Sequence, residues 1–157
     1  MKPSKTHPIS DSLAFKLHKA TVLVDQAADI FLRTQFGISY SEFSVLLIAG
    51  TMPSPNQRQI ADALGVSRAS ITQRLARLIE KDLASTTPDE RDSRAYLVKP
   101  TKKGGALLAA AWQAMELDDD GIDQGVDTVG LTRELDVLIA NAVARIERIR
   151  SEKGSDR

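Results

Sequence analysis

The stretch from Pro55 to Pro100, PNQRQIADALGVSRASITQRLARLIEKDLASTTPDERDSRAYLVKP, constrains the fold more than any other part of the chain. It opens with two short helical patterns separated by a single glycine. Gln57 to Leu64 makes about two turns, with Ile60, Ala61 and Leu64 at inward positions. Gly65 suits the left-handed residue that a tight helix–helix corner needs. Val66 is placed to plug that corner, and Ser67 to cap the next helix by accepting from an amide of its first turn.

That helix is expected from Arg68 to about Lys81, with Ile71, Leu75, Leu78 and Ile79 as its buried stripe. The opposite face carries Arg68, Ala69, Ser70, Thr72, Gln73, Arg74 and Arg77. A merely solvated helix mixes Glu with Lys on its outer face, whereas this one has three arginines and no acid between Arg68 and Arg77. An apolar back, small residues at the first turn and donors for base edges and phosphates are what a helix in a major groove requires. Downstream, Leu83–Thr87 and Ala95–Lys99 are rich in β-formers, and PDERDSR between them is too long for a two-residue turn. An arginine at the tip of such a hairpin can enter a minor groove, where the phosphates concentrate negative potential. Asp92, two residues before Arg94, is placed to brace the loop by accepting from an arginine or a backbone amide.

The flanks read as support. Residues 1–8 are expected to be a disordered tail. Residues 9–36 form a long first helix with Leu13, Leu17, Ala20, Val24, Ala27, Ala28 and Phe31 in a stripe, Ser10 as its cap and Gly37 as its end. Phe15, Leu23, Ile30 and Leu32 widen that stripe, so more than one face seeks a partner. Ser39-Tyr40-Ser41-Glu42 fits a capping box, which favours a buried helix over a buried strand for the apolar FSVLLIAG that follows. Pro53 and Pro55 end that helix, and Ser54 or Asn56 can cap the next. Thr101 is expected to cap a helix through LLAAAWQAMEL, the acidic DDDGIDQGVDTVG to interrupt, and Thr132 to cap a last helix striped by Leu135, Leu138, Ile139, Ala142, Ile146 and Ile149. The reading is a single composite domain, mainly α with a small β-hairpin wing. A winged helix-turn-helix lobe over 38–100 sits between the first helix and C-terminal helices over 101–152, about six helices in all, with the terminal helices as a dimerisation module or an intrachain packing.

Composition narrows the function. Net charge is zero over the 157 residues, yet Ser54–Lys103 holds 10 basic and 6 acidic residues while Gly104–Arg157 holds 6 and 11. A local basic surface, not the total, governs phosphate binding. Without cysteine, disulfides, thiolate zinc sites and cysteine redox switches are excluded. His7 and His18 stand apart, so no metal or other cofactor is expected, and no nucleophile–base pair or phosphate-cradling glycine loop suggests an enzyme. No apolar run is long enough to span a membrane and no signal peptide opens the chain, so a cytoplasmic location is expected.

Together, QIADALGVSRASITQRLARLIEKDLA, the wing sequence DERDSRAYLVKPTKKG and the capped ISYSEFSVL resemble the MarR family of winged helix-turn-helix transcription regulators, over roughly Ile38 to Gly105. The resemblance implies a homodimer, triangular in outline, whose terminal helices interlock. It implies recognition helices in major grooves and wings in adjacent minor grooves of a pseudo-palindromic double-stranded operator, with half-site centres about 10 bp apart. By position, Ser67, Arg68, Ser70, Thr72, Gln73 and Arg74 match the DNA-facing residues, Arg94 the wing-tip arginine and Asp92 its brace; Arg77 and Arg91 add phosphate or minor-groove contacts. It further implies a repressor released by a small, often anionic aromatic effector, for which Phe15, His18 and Trp112 are the candidate lining residues. Pro100 departs from the family pattern and suggests that the second wing strand ends early. A winged-helix adaptor that binds protein through the same lobe is the alternative.

Overall fold

The computed structural model describes residues 9–90, 92–118 and 120–155; the expected tail over 1–8 and the candidate Arg91 lie outside the described residues. The elements are α1 (Leu13–Phe36), α2 (Tyr40–Thr51), α3 (Gln57–Leu64), α4 (Arg68–Glu80), β1 (Ala84–Asp89), β2 (Asp92–Pro100), α5 (Lys102–Leu117) and α6 (Thr128–Ser155). They fall into two compact units, residues 1–118 and 119–157.

In the first unit α2 is the hub, touching α1, α3, α4, α5 and β2. The cause is its sequence: Phe43, Val45, Leu46 and Ala49 are buried around much of the helix, so it offers apolar surface in several directions. Its start is the expected capping box. The Ser39 hydroxyl accepts from the Glu42 amide at 3.1 Å, and the Glu42 carboxylate accepts from the Ser39 amide at 2.8 Å. Leu32, Ile38, Ile60, Ile71, Leu75, Leu78 and Val98 close the same core.

Local signals set most boundaries. Asn56 caps α3 in a second capping box with Gln59, Gly65 takes φ +64° at the corner before α4, and Val66 packs half-buried against the core. Ser67 caps α4 by accepting from the Ser70 amide at 3.2 Å. Two expected caps are displaced. Ser12, not Ser10, accepts from the Phe15 amide and starts α1. At α6, Asp127 accepts from the Gly130 amide at 3.0 Å, so the helix begins at Thr128, and the Thr132 hydroxyl instead folds back onto the Thr128 carbonyl. Either residue type satisfies the same amide, and the register of the turn decides between them.

The hairpin departs most from expectation. β1 and β2 run further towards the tip than their β-formers suggested, and Asp89 pairs with Asp92, leaving two residues between the strands where a longer loop was expected. The surplus lies in a register shift: Pro88 faces Tyr96 but Asp89 faces Asp92, so the β2 side carries the extra residues as a bulge. β2 also continues through Pro100, opposite Ala84. The Val98 amide points away from β1 and donates to the Pro55 carbonyl at 2.8 Å. By the alternation of an antiparallel ladder the Pro100 nitrogen points to that outer edge too, so its missing N–H costs the hairpin nothing. Thr101 resumes the ladder, donating to the Leu83 carbonyl at 3.0 Å. Asn56 bridges Leu97 on the outer edge, so the wing is held from both sides.

α5 starts in close contact with the wing's root. Thr101 accepts from the Gly104 amide and donates to the Asp82 carbonyl at 2.7 Å. Gly104 is buried because its Cα lies against the Leu83 carbonyl. In the second unit α6 exposes Val137, Ile139, Val143, Ile146 and Ile149. Among the described residues no helix is long and apolar enough to cross a membrane.

Candidate nucleic-acid interface

α4 is anchored by Ile71, Leu75 and Leu78, all buried, each contributing about 1.5–3 kcal/mol of burial. Ile79, expected in the same stripe, is instead 45% exposed, and the buried positions of α4 are Ile71, Leu75 and Leu78. The outward face is as the sequence partition indicates: Arg68, Ala69, Thr72, Gln73 and Arg77 are exposed, and Ser70 and Arg74 half-buried. Among the described residues no carboxylate pairs with Arg68, Arg74 or Arg77, so none of them compensates the guanidinium charge of this face. Thr72 is the exception in character, because its hydroxyl is already engaged by Gln57 Oε1 at 2.8 Å and the Arg68 carbonyl at 3.1 Å.

The wing presents Asp92, which is engaged rather than free, and carries the Arg94 backbone within β2. The tip is two residues long at the level of Asp89 and Asp92, which brings the Arg94 position onto the strand instead of a loop.

Behind the face, one ammonium ties three segments together. Lys81, just after α4, donates to the Gly37 carbonyl and to Glu42 Oε2, both at 3.1 Å, and Lys103 donates to the Lys81 carbonyl at 2.8 Å. Glu42 is only 3% exposed. Burial pushes its carboxyl up, but the Ser39 amide and the Lys81 ammonium outweigh that and hold it below the ordinary carboxylate range. Asp29 on α1 is held low in the same direction, first by Arg33, whose Nε donates at 2.6 Å, and then by the Tyr40 amide. α4 is thus tied at its C-terminal end to the α1–α2 corner by charge-assisted bonds.

The arrangement is an arginine-bearing helix after a glycine corner, followed by a two-stranded wing, and the MarR family model matches residues 36–95, which contain the helices, the first wing strand and the start of the second. Over that stretch the chain is similar to the MarR family. Solved structures similar to it include the transcriptional repressor CouR bound to a 23-mer DNA duplex, at 26% identity and TM-score 0.74 over 88% of this chain and 98% of that one. A MarR-family transcriptional regulator from Rhodococcus sp. RHA1 matches at 24% identity and TM-score 0.77, over 87% and 96% of the two chains. CouR from Rhodococcus jostii RHA1 bound to p-coumaroyl-CoA matches at 23% identity and TM-score 0.74, again over 87% and 96%.

Two further features of this chain have no signal in its sequence. Gln57, Arg58 and Tyr96 join Arg68 and Asp92 around a cleft between the wing and the starts of α3 and α4. A second cleft, of about 390 Å³, opens between α1 and α2 along Asp25, Asp29, Ile30 and Tyr40. Burial, followed by the charge of Asp25, pushes the Tyr40 phenol up. Neither cleft includes Phe15, His18 or Trp112. Trp112 is 46% exposed, its indole N–H donating to Glu116 at 2.7 Å, and Phe15 and His18 are exposed on the first half of α1. No sequence pattern pairs Gln57 with Thr72, because a half-buried glutamine at a helix start carries no local signal of its partner.

Proposed function

We propose that the chain is a homodimeric, sequence-specific DNA-binding regulator, a repressor released by a small-molecule effector. The observation that carries this reading is the uncompensated arginine face of α4 set on a buried apolar back. Arg68, Gln73 and Arg74, with Ser67 and Ser70 beside them, face base edges of the major groove. Arg77, Arg91 and Arg94 face phosphates or the minor groove, and Asp92 braces the wing. That CouR is solved on DNA supports this placement.

The dimer is supported by apolar surface. Leu13, Phe15, Leu23, Val24 and Ile30 are exposed on α1, and Val137, Ile139, Val143 and Ile146 on α6, more than the scattered apolar residues of a soluble monomer. For the effector, an anionic aromatic ligand fits the family's habit, and CouR is solved with p-coumaroyl-CoA. Phe15, His18 and Trp112 are our candidates for the apolar part of its site, their exposed surfaces being covered once a ligand or a second subunit is present.

The test is binding to the chain's own upstream DNA and to random-sequence pools. Nanomolar affinity that weakens steeply with salt is expected. Arg94→Ala is expected to weaken it about tenfold or more, with the dimer mass by light scattering unchanged. No shift of the upstream DNA together with no enrichment from the pool overturns the reading.

A further inference from the structure

A protein that places α4 in a major groove and the wing in the next minor groove must straddle the sugar–phosphate strand that separates the two. The part of the lobe under that strand is the cleft between the start of α3, the start of α4 and the wing, about 290 Å³ in volume and walled by Gln57, Arg58, Arg68, Asp92 and Tyr96. We propose that this cleft seats one operator phosphodiester per half-site, with Arg58 as its ionic donor and Gln57 and Tyr96 as its neutral ones. The inference rests on the DNA-binding reading above and adds a contact outside the recognition helix and the wing tip.

Four observations support it. Arg58 is available: its side chain is 83% exposed, and its one ion pair among the described residues, to Asp62, is long at 3.9 Å and solvent-exposed on both sides. Such pairs contribute little, so the guanidinium can turn to a phosphate at small cost. The charge balance is favourable, two guanidiniums against Asp92, which already has a partner. Gln57 is oriented, because its Oε1 takes the Thr72 hydroxyl and leaves the amide N–H groups as donors. Tyr96 stands opposite Pro88 near the bulge, its side chain half in solvent, with a phenol O–H to offer.

The Thr72 hydroxyl, spent on Gln57 and on its own helix, then acts through Gln57 as a positioning group instead of reading a base. Its loss affects all sequences alike.

The experiment uses the full-length dimer and an operator taken from random-sequence selection. Arg58→Ala is expected to lower the salt slope of log K by about 1.8, one phosphate in each of two half-sites at about 0.9 each, while Arg58→Lys keeps the slope. Replacing single phosphates by neutral methylphosphonates is expected to reveal one position per half-site that weakens the wild type and has no further effect on Arg58→Ala. Thr72→Val is expected to lower affinity for every sequence in the pool by a similar factor, leaving the selected motif unchanged. If the wild type binds its operator but Arg58→Ala keeps the wild-type slope, or no methylphosphonate position is lost with Arg58, the phosphate seat is wrong and the DNA-binding reading stands. If the wild type selects no DNA at all, both fall together.

Discussion

Replacing Gly104 by alanine tests the joint between the wing and α5. A Cβ built there lies 1.8 Å from the Leu83 carbonyl oxygen and 2.7 Å from its carbon, so backbone must move on one side or the other. Relief to an ordinary contact takes a displacement of about 1.5 Å, and overpacking of that kind costs about 1–3 kcal/mol. The movement also stretches the bonds that pin this corner, Thr101 to the Leu83 and Asp82 carbonyls and Lys103 to that of Lys81. Losing two of these adds about 2 kcal/mol, and the better helix propensity of alanine returns about 1, for a net loss of roughly 2–4 kcal/mol. For a chain of this size that lowers Tm by roughly 5–15 °C. Gly105 is the internal control, since a Cβ there meets nothing within 4 Å. Gly105→Ala is expected to stabilise by up to about 1 kcal/mol. Urea and thermal unfolding followed by circular dichroism, at one fixed protein concentration, measure both. A Gly104→Ala protein as stable as the wild type, or shifted in the same direction as Gly105→Ala, refutes the contact.

Three other outcomes follow from the charge pairs and the exposed surfaces. Glu42 and Asp29 have carboxyls held below their unfolded values, so their contribution is complete above about pH 4.5 and is lost as pH falls through the folded values; Asp29→Asn with Glu42→Gln is expected to flatten that acid limb in pH-dependent unfolding. Lys81→Met removes the ammonium from a buried carboxylate and is expected to destabilise by about 1–3 kcal/mol, whereas Glu42→Gln alone keeps the capping box and costs less, as denaturant midpoints will show. Ile139→Asp with Ile146→Asp is expected to halve the mass measured by light scattering, because both side chains are exposed and apolar; an unchanged dimer mass would remove α6 from the interface.

Where the chain signals its own ends locally, its sequence is readable. Ser39 with Glu42, Asn56 with Gln59, Gly65, Ser67 and Thr101 each fix a boundary through bonds spanning three or four residues, and each stands where the residue types indicate. The failures are of two kinds. At Ser10 against Ser12 and Thr132 against Asp127, several capping residues lie within one turn and only the geometry selects one. At the wing turn and Pro100, the deciding partner is distant in sequence: the β1 register and the Pro55 carbonyl. The site follows the same division. The arginines of α4 are plain in the sequence, while Gln57 with Thr72 and Glu42 with Lys81 join positions 15 and 39 residues apart.

The two-sided hold on β2 bears on how far such a protein can adapt to its target. With β1 on one edge and Pro55–Asn56 on the other, the hairpin is continuous with the residues that start α3, and α3 is locked to α4 through Gln57. Helix and wing therefore form a fixed calliper whose jaw width is set within one subunit. An operator with one extra base pair between its half-sites turns them by about 36° and parts them by about 3.4 Å, and none of that is absorbed by opening the jaws. In the proposed dimer the tolerance for spacing belongs to the joint between subunits, so it is there, away from the proposed DNA contacts, that substitutions are expected to widen or narrow the range of sites accepted.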